Sequence, residues 1–454
     1  MEYKDFLEQK KHSIGNSGFE ANYIPDMAFD FQKFIIEKAV KKGRIAVFAD
    51  TGLGKTLIQL SIAKNIIQHT NKTVLILTPL AVAFQFILEA TKLGIDDIEY
   101  SKDGKYTKKI VICNYERLHY FDSSDFIGVI LDESSILKNF DGQIKSAVTA
   151  FVKKIPYRFL STATPSPNDF IELGTSSEAL GYMGYMDMLG KFFKNNQNSI
   201  DNNRNVGEKF YLKPHAEDSF FAWVNQWSIM CKMPSDLGFS DDRYILPELI
   251  INKHTVKNDS LLDIDGQIQM FNKPAKNFNE VRHEVKQTIE KRCDMALELA
   301  YGKTSVYWVN RNEESKILKN NDSEAVEIIG SQSIDQKEEI LKNFANGDIK
   351  RLITKAKMTG MGLNWQHCNH SVFFPTYSYE QYYQATRRFW RFGQKRDVTI
   401  EMVISDGQTR VLQALEQKTQ KAVELHEHLT KNVNGIFENK VKEFKFNVEH
   451  PTFI

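Results

Sequence analysis

Short apolar runs rich in β-branched residues recur through the first part of the chain: IAVFAD (45–50), VLILTP (74–79), KIVICNYE (109–116), GVILDE (128–133) and YRFLSTATP (157–165). Each is followed by a turn and a stretch of helix-like spacing, and that alternation predicts a parallel α/β sheet. The rhythm returns in TSVYWVN (304–310), AVEIIG (325–330), KRLITKA (350–356), HSVFFP (370–375) and VTIEMVIS (398–405), which predicts a second sheet domain. Between the two, aromatic and polar residues mix without strand rhythm. There KNNQNSIDNNRN (194–205) reads as an exposed loop, and LPELI (246–250) leads into a strand that crosses to the second domain. After Ser405, the apolar Val411, Leu412, Leu415, Ala422, Leu425 and Leu429 fall near a 3.6-residue spacing. They predict a helix packed on the second domain. The expected organisation is therefore a first lobe over 1–170, a mostly helical insertion and linker over 171–285, a second lobe over 286–425 and a tail over 426–454.

Composition permits this and narrows the function. With 454 residues and 42% hydrophobic content the chain can bury more than one core. Its 59 Lys and Arg nearly cancel its 58 Asp and Glu, so no global field draws in polyanions and any nucleic-acid surface must be built locally. The four cysteines, Cys113, Cys231, Cys293 and Cys368, form no CxxC pair, which argues against a disulfide framework or a zinc ribbon and for a reducing compartment. His367, Cys368 and His370 crowd together but have no second cluster to complete a metal site, and they read as ordinary loop residues. No run suits a membrane span and the N-terminal MEYKDFLEQ lacks a signal-peptide core, so the expectation is a soluble, cytoplasmic protein with no membrane partner.

The chemistry begins at ADTGLGKT (49–56). A bend of small residues after a buried strand, closed by Gly-Lys-Thr at a helix start, presents backbone N–H groups and the helix dipole to a phosphate. Asp50, Thr51, Gly52, Leu53 and Gly54 form the cradle, Lys55 contacts the β- and γ-phosphates of ATP, and Thr56 ligates Mg2+. Ala49 stands where the first glycine of such loops is usual. A second acidic element is expected at a neighbouring strand end, and GVILDESS supplies it: Asp132 to hold Mg2+, and Glu133 to orient and polarise the attacking water. In QATRRFWRFGQ (384–394), Arg388 and Arg391 lie three positions apart, so on a helix they share a face and can reach one phosphate cluster. The interleaved Phe389, Trp390 and Phe392 argue against a fully solvated basic face.

P-loop, DExx and a late Arg-x-x-Arg on two successive α/β domains resemble the superfamily 2 helicases and translocases, and QATRRFWRFGQ resembles the Swi/Snf-type signature of that group, with Gln384, Arg388, Arg391, Gly393 and Gln394 in place. TPLAV (78–82), CNYERL (113–118), LDESSILKN (131–139), STATPSPND (161–169) and TGMGLNWQ (359–366) are similar to its motifs Ia, Ib, II, III and V. The resemblance covers about residues 25–405. It implies two RecA-like lobes in tandem, hydrolysis of ATP with Mg2+, nucleotide contacts from Gln32, Gly362 and Gln384, and arginine fingers at Arg388 and Arg391. It further implies a backbone grip by Thr78, Pro79, Asn114 and Arg117 on lobe one, and by Ser331, Gln332, Lys355, Lys357, Thr359 and Asn364 on lobe two. The implied polymer is duplex or branched DNA, moved along by a monomeric motor core of compact phage or bacterial type, with a protein loading partner possible. Trp365, Tyr382 and Trp390 leave base stacking on a single strand open. A strand-separating RNA helicase and a non-motor ATP-dependent clamp or scaffold are the alternatives. Ser135 stands where the DEAH version of motif II has histidine, so its link to motif III must use a hydroxyl.

Overall fold

The computed structural model describes residues 16–79, 82–138, 142–195, 210–242, 244–258, 278–356, 358 and 365–446. The chain divides into two compact units, Met1–Arg243 with Lys421–Ile454, and Tyr244–Gln420.

In the first unit every strand foreseen from the apolar runs is present: β1 (Arg44–Ala49), β2 (Thr73–Thr78), β4 (Ile110–Asn114), β5 (Phe126–Asp132) and β6 (Tyr157–Ser161), with the short β3 (Ile98–Tyr100) beside β4. The hairpin β7 (Phe193–Asn195) and β8 (Phe210–Leu212) stands apart, and β9 (Ser228–Cys231) closes the sheet. Among the described residues the order is β3-β4-β2-β5-β6-β1-β9. All its neighbours run parallel. Parallel pairing requires a crossover between strands, and helices such as Lys55–Thr70 and Gln143–Val152 supply it and cover the faces. That is why the strands read as continuous apolar runs rather than as alternating ones. Phe48, Leu75, Val129, Leu160 and Trp227 lie in one core, which also takes in Leu425 and Leu429.

The second unit repeats the plan with β10 (Leu249–Val256), β11 (Ser305–Trp308), β12 (Ala325–Glu327), β13 (Arg351–Thr354), β14 (His370–Phe373) and β15 (Val398–Ser405). Their order is β10-β15-β14-β11-β13-β12, again parallel throughout. Trp308, Phe344, Trp365 and Phe389 centre one face of its core.

Two differences from the sequence reading have physical causes. The segment 170–285 lacks strand rhythm, yet besides β10, the crossing strand expected at LPELI, it holds β9, the edge strand of the first sheet. β9 has four residues, all buried, too few to set a period. The long helix Thr409–Phe446 was expected to pack on the second lobe along its whole stripe. Leu412 does join the second core, but Leu425 and Leu429 belong to the first. Spacing shows which face of a helix is buried, not what buries it. Leu425→Ala is expected to lower the stability of the first unit by about 2–5 kcal/mol, read as a drop in its melting transition.

Candidate active site

The turn after β1 is built as its sequence demands. Gly52 and Gly54 take φ of 92° and 79°, conformations that side chains with a Cβ rarely adopt. A Cβ on Gly54 would lie 2.2 Å from the Gln32 amide nitrogen, so space as well as backbone requires glycine there. Gly54 caps the helix Lys55–Thr70, whose start has no side-chain cap bond. A helix start of this kind suits an anion. Asp50, buried, accepts from the Thr51 N–H at 2.6 Å, and its own N–H reaches the Cys231 carbonyl on β9 at 2.9 Å. The Lys55 ammonium lies 3.1 Å from the Ala49 carbonyl and 3.3 Å from that of Asp50, folded back over the loop. Gln32 spans from the preceding helix, donating to the Leu53 carbonyl at 2.9 Å while its oxygen accepts from the Phe29 N–H. Thr56 is half-buried on the first turn.

Asp132 ends β5, three strands in from the β9 edge of the sheet and buried. Gln59 donates to its Oδ1 at 2.7 Å and Thr78 to its Oδ2 at 3.1 Å, while the Tyr115 phenol donates to its backbone carbonyl at 2.6 Å. Burial pushes the carboxyl above the usual carboxylate range, against the pull of the Gln59 and Thr78 bonds and the Lys55 charge. A buried carboxylate so arranged favours a divalent cation, which supplies the charge that burial withholds. Glu133 follows at φ 49°, a left-handed conformation unfavourable for a non-glycine residue by about 1–2 kcal/mol. Such strain persists where the surroundings over-determine it. The turn brings Glu133 Oε2 to 3.3 Å from the Thr162 hydroxyl, just past β6. This bond joins the LDESSILKN and STATPSPND segments through Thr162, whereas the link expected from the sequence was through Ser135, which is buried.

The second unit places its arginines differently from the helical expectation. The helix Tyr379–Thr386 stops before them, and Arg388 and Arg391 lie in the turn that follows. Three features stop it. Gly393 takes φ 91°, the Gln366 amide donates to the Phe392 carbonyl at 2.7 Å, and Gln394 donates to the carbonyls of Gln366, Cys368 and Phe389 at 3.1–3.3 Å. Arg388 is buried with its guanidinium 5.8 Å from the Trp365 ring centre. Arg387, which the sequence reading passed over, is buried 4.8 Å from the Trp390 ring and donates to that residue's carbonyl. Burial lowers Arg387 to about 9, with the Arg391 charge adding to it, and burial lowers Arg391 to about 10; both stay charged at neutral pH. Arg391 Nε is buried without a hydrogen-bond partner among the described residues. A desolvated pair of guanidinium groups is a receptor for an anion. Gln384 lies half-buried on the helix.

Other anticipated contacts divide. Thr78 and Asn114 are wholly buried, Thr78 on Asp132 and Asn114 between Tyr100 and the Thr78 carbonyl, so their side chains do not form the grip expected of them. Pro79 and Arg117 are half-buried, the latter donating to the Lys102 carbonyl at 3.0 Å. Ser331 is exposed, Gln332 is tied to the Ile329 N–H and the Glu327 carbonyl, and Lys355 donates to Asn312 at 2.6 Å. Lys357, Thr359, Gly362 and Asn364 lie outside the described residues. Trp365 is fully buried against Trp308, so it stacks on no base; the Trp390 indole donates to the Pro247 carbonyl, and Tyr382 packs edge-on to Phe373. Cys368 is buried with its thiol near the Thr304 and His370 carbonyls, while His370 contacts Ser305 and Lys303.

Two residues that set the acidic site were not singled out from sequence. Gln59 follows Lys55 by one turn on the apolar helix LIQLSIAKNII, and a polar residue on that helix's inward face was the available signal. Tyr115 had no signal beyond its place after a strand.

Two parallel α/β lobes in tandem, the first carrying a Gly-Lys-Thr turn and an Asp-Glu pair whose aspartate is buried, define a RecA-like P-loop ATPase. Residues 29–172 match the DEAD/DEAH box helicase family and residues 287–393 the helicase conserved C-terminal domain, together more than half of the chain. The chain belongs to the superfamily 2 helicases: it is an ATP-hydrolysing, nucleic-acid-dependent enzyme of helicase type. Among solved structures it is similar to a Sulfolobus solfataricus SWI2/SNF2 ATPase core in complex with dsDNA, at 15% identity and a TM-score of 0.40, over 97% of this chain and 100% of that one. The two parallel sheets and the two domain matches define the fold. No curated protein matches the chain. Among the described residues, no helix is long and apolar enough to cross a membrane.

Replacing Gln59 by methionine keeps volume but removes a donor from a buried carboxylate, and is expected to destabilise the first unit by about 1–3 kcal/mol at neutral pH. The folded Asp132 pKa is already raised and rises further in the variant. The deficit is therefore fully present above the folded pKa values and shrinks as acid protonates Asp132, a trend that denaturant unfolding at several pH values checks.

Proposed function

We propose that the protein is an Mg-ATP-dependent DNA translocase, a monomer that couples hydrolysis in its first lobe to movement on duplex or branched DNA. The observation that carries this is the juxtaposition of Asp132, held by Gln59 and Thr78, with the strained Glu133 held by Thr162, on the sheet whose P-loop carries Lys55. Asp132 and Thr56 are the residues suited to hold Mg2+, which would neutralise charge on the β- and γ-phosphates. The loop from Asp50 to Gly54 and the first-turn N–H groups receive the phosphates. Lys55 turns from the Ala49 and Asp50 carbonyls toward them, and Gln32 lies beside the loop at the place suited to adenine. Glu133 orients a water and takes up its proton. The guanidinium groups of Arg388 and Arg391 stabilise charge that builds in the transition state, with Gln384 and Gly362 completing the nucleotide contacts.

The choice of DNA and of translocation rests on the Swi/Snf-type spacing of Gln384, Arg388, Arg391, Gly393 and Gln394. Of the anticipated grip, Pro79, Arg117, Ser331, Gln332 and Lys355 keep accessible side chains and fit sequence-independent contacts to phosphates, joined by Lys357, Thr359 and Asn364 of the second lobe. The reading also places the protein in the cytoplasm of a bacterium or phage-infected cell.

ATP hydrolysis measured alone and with single-stranded DNA, duplex DNA, forked DNA and RNA tests this. Stimulation by duplex or forked DNA is expected. Lys55→Ala, Glu133→Gln and Arg391→Ala should each lower the stimulated rate by at least about 100-fold, as loss of a charge-stabilising group in the transition state does. Glu133→Gln should still bind nucleotide. Hydrolysis indifferent to every polymer would favour the scaffold, and stimulation by RNA alone would replace DNA.

A further inference from the structure

The strands β3, β4, β2 and β5 lie side by side in that order, and their last residues are Tyr100, Asn114, Thr78 and Asp132. Those four residues are joined across the carboxyl edge of the sheet. The Tyr100 phenol donates to Asn114 Oδ1, the Asn114 amide donates to the Thr78 carbonyl at 3.3 Å, and the Thr78 hydroxyl donates to Asp132 Oδ2 at 3.1 Å. Asn114 and Thr78 are wholly buried, so water does not compete for these bonds and the orientation of each group depends on the next. At its inner end the chain of bonds meets the carboxylate suited to hold the metal.

Its outer end reaches the surface. Tyr100 is half-buried, its ring centre 6.2 Å from that of Phe84, which is 51% exposed, and the exposed Lys102 ammonium lies 5.9 Å from the Tyr100 ring. Arg117 fixes the Lys102 backbone by a 3.0 Å bond to its carbonyl. Accessible aromatic faces beside cations suit a nucleic-acid strand, bases to the rings and phosphates to the amines.

We propose that Tyr100, Asn114 and Thr78 are positioning residues that transmit occupancy of the Phe84–Lys102 surface by a DNA strand to Asp132. The proposal rests on the reading of the protein as a DNA-stimulated ATPase. A strand seated against Phe84 and Lys102 shifts the Tyr100 ring, the phenol carries the Asn114 amide with it, and the residue that amide holds, Thr78, sets one oxygen of Asp132. A purely structural role would require only that the buried groups be satisfied. A relay requires that removing a hydroxyl at the surface end alter the response at the other.

The test uses the full chain, with hydrolysis measured with and without duplex DNA, DNA affinity by fluorescence anisotropy, and melting temperature as a check on folding. Tyr100→Phe, which leaves the buried Asn114 oxygen without this donor, should melt somewhat lower but remain folded at the assay temperature and bind DNA like the wild type, while its ratio of stimulated to basal hydrolysis falls about tenfold, within the range of coupling between two sites. Thr78→Val should lose the same ratio and Thr78→Ser should recover it, because serine keeps the donor to Asp132. The relay is overturned if Tyr100→Phe is stimulated like the wild type, or if it loses stimulation only in proportion to lost DNA affinity. Wild-type hydrolysis that no DNA stimulates would overturn the relay together with the reading beneath it, whereas a stimulated wild type with unaffected variants overturns the relay alone.

Discussion

The burial of one carboxylate, Asp132, is the constraint on which the first lobe depends. It ends a central strand of a parallel sheet, where the helix N-termini and crossover turns of such sheets also gather. Left bare, an ionised carboxylate there would be strongly unfavourable, so the surrounding elements converge on it: Gln59 from the P-loop helix, Thr78 from the neighbouring strand, and Tyr115 on its carbonyl. Each of these bonds also fixes an element that carries function. Gln59 registers the helix begun by Lys55 against β5, and the turn beyond Asp132 puts Glu133 in a backbone conformation that aims it at Thr162. The site and the packing of the sheet are the same set of contacts.

The second lobe solves a related problem with the opposite charge. Two of its arginines are buried against aromatic rings, Arg387 against Trp390 and Arg388 against Trp365, and the loop is stapled by Gln394 to three carbonyls. The rings are scaffold rather than contact surface. Their spacing among the arginines in the sequence reflects the need to bury the stems of charged side chains while holding the charged ends in place.

Much of this was legible in the chain. Ten apolar runs gave ten strands, because strands buried on both faces in a parallel sheet have no polar positions to break the run. The P-loop was legible because glycine, lysine and threonine at that spacing satisfy a backbone requirement that Gly52 and Gly54 meet at positive φ. What escaped was direction and partnership. Thr78 and Asn114 could be placed at strand ends, but whether a strand-end side chain faces solvent or its neighbour depends on pleat and register, and here both face inward. Arg388 and Arg391 have the spacing of a helix face, yet tertiary bonds from Gln366 and Gln394 end the helix first. The destination of Leu425 and Leu429 was likewise set by tertiary contacts that no periodicity encodes.

On the function proposed above, Asp132 is held ready for a divalent cation that arrives with the nucleotide. Binding of a fluorescent ATP analogue with and without Mg2+, in the wild type and in Asp132→Ala, tests it without reliance on hydrolysis. Mg2+ should strengthen binding to the wild type and leave the variant, folded as judged by its melting transition, close to its metal-free affinity. An unchanged Mg2+ effect in the variant would contradict the account, since the cation would then be held by groups other than the one around which the lobe is built.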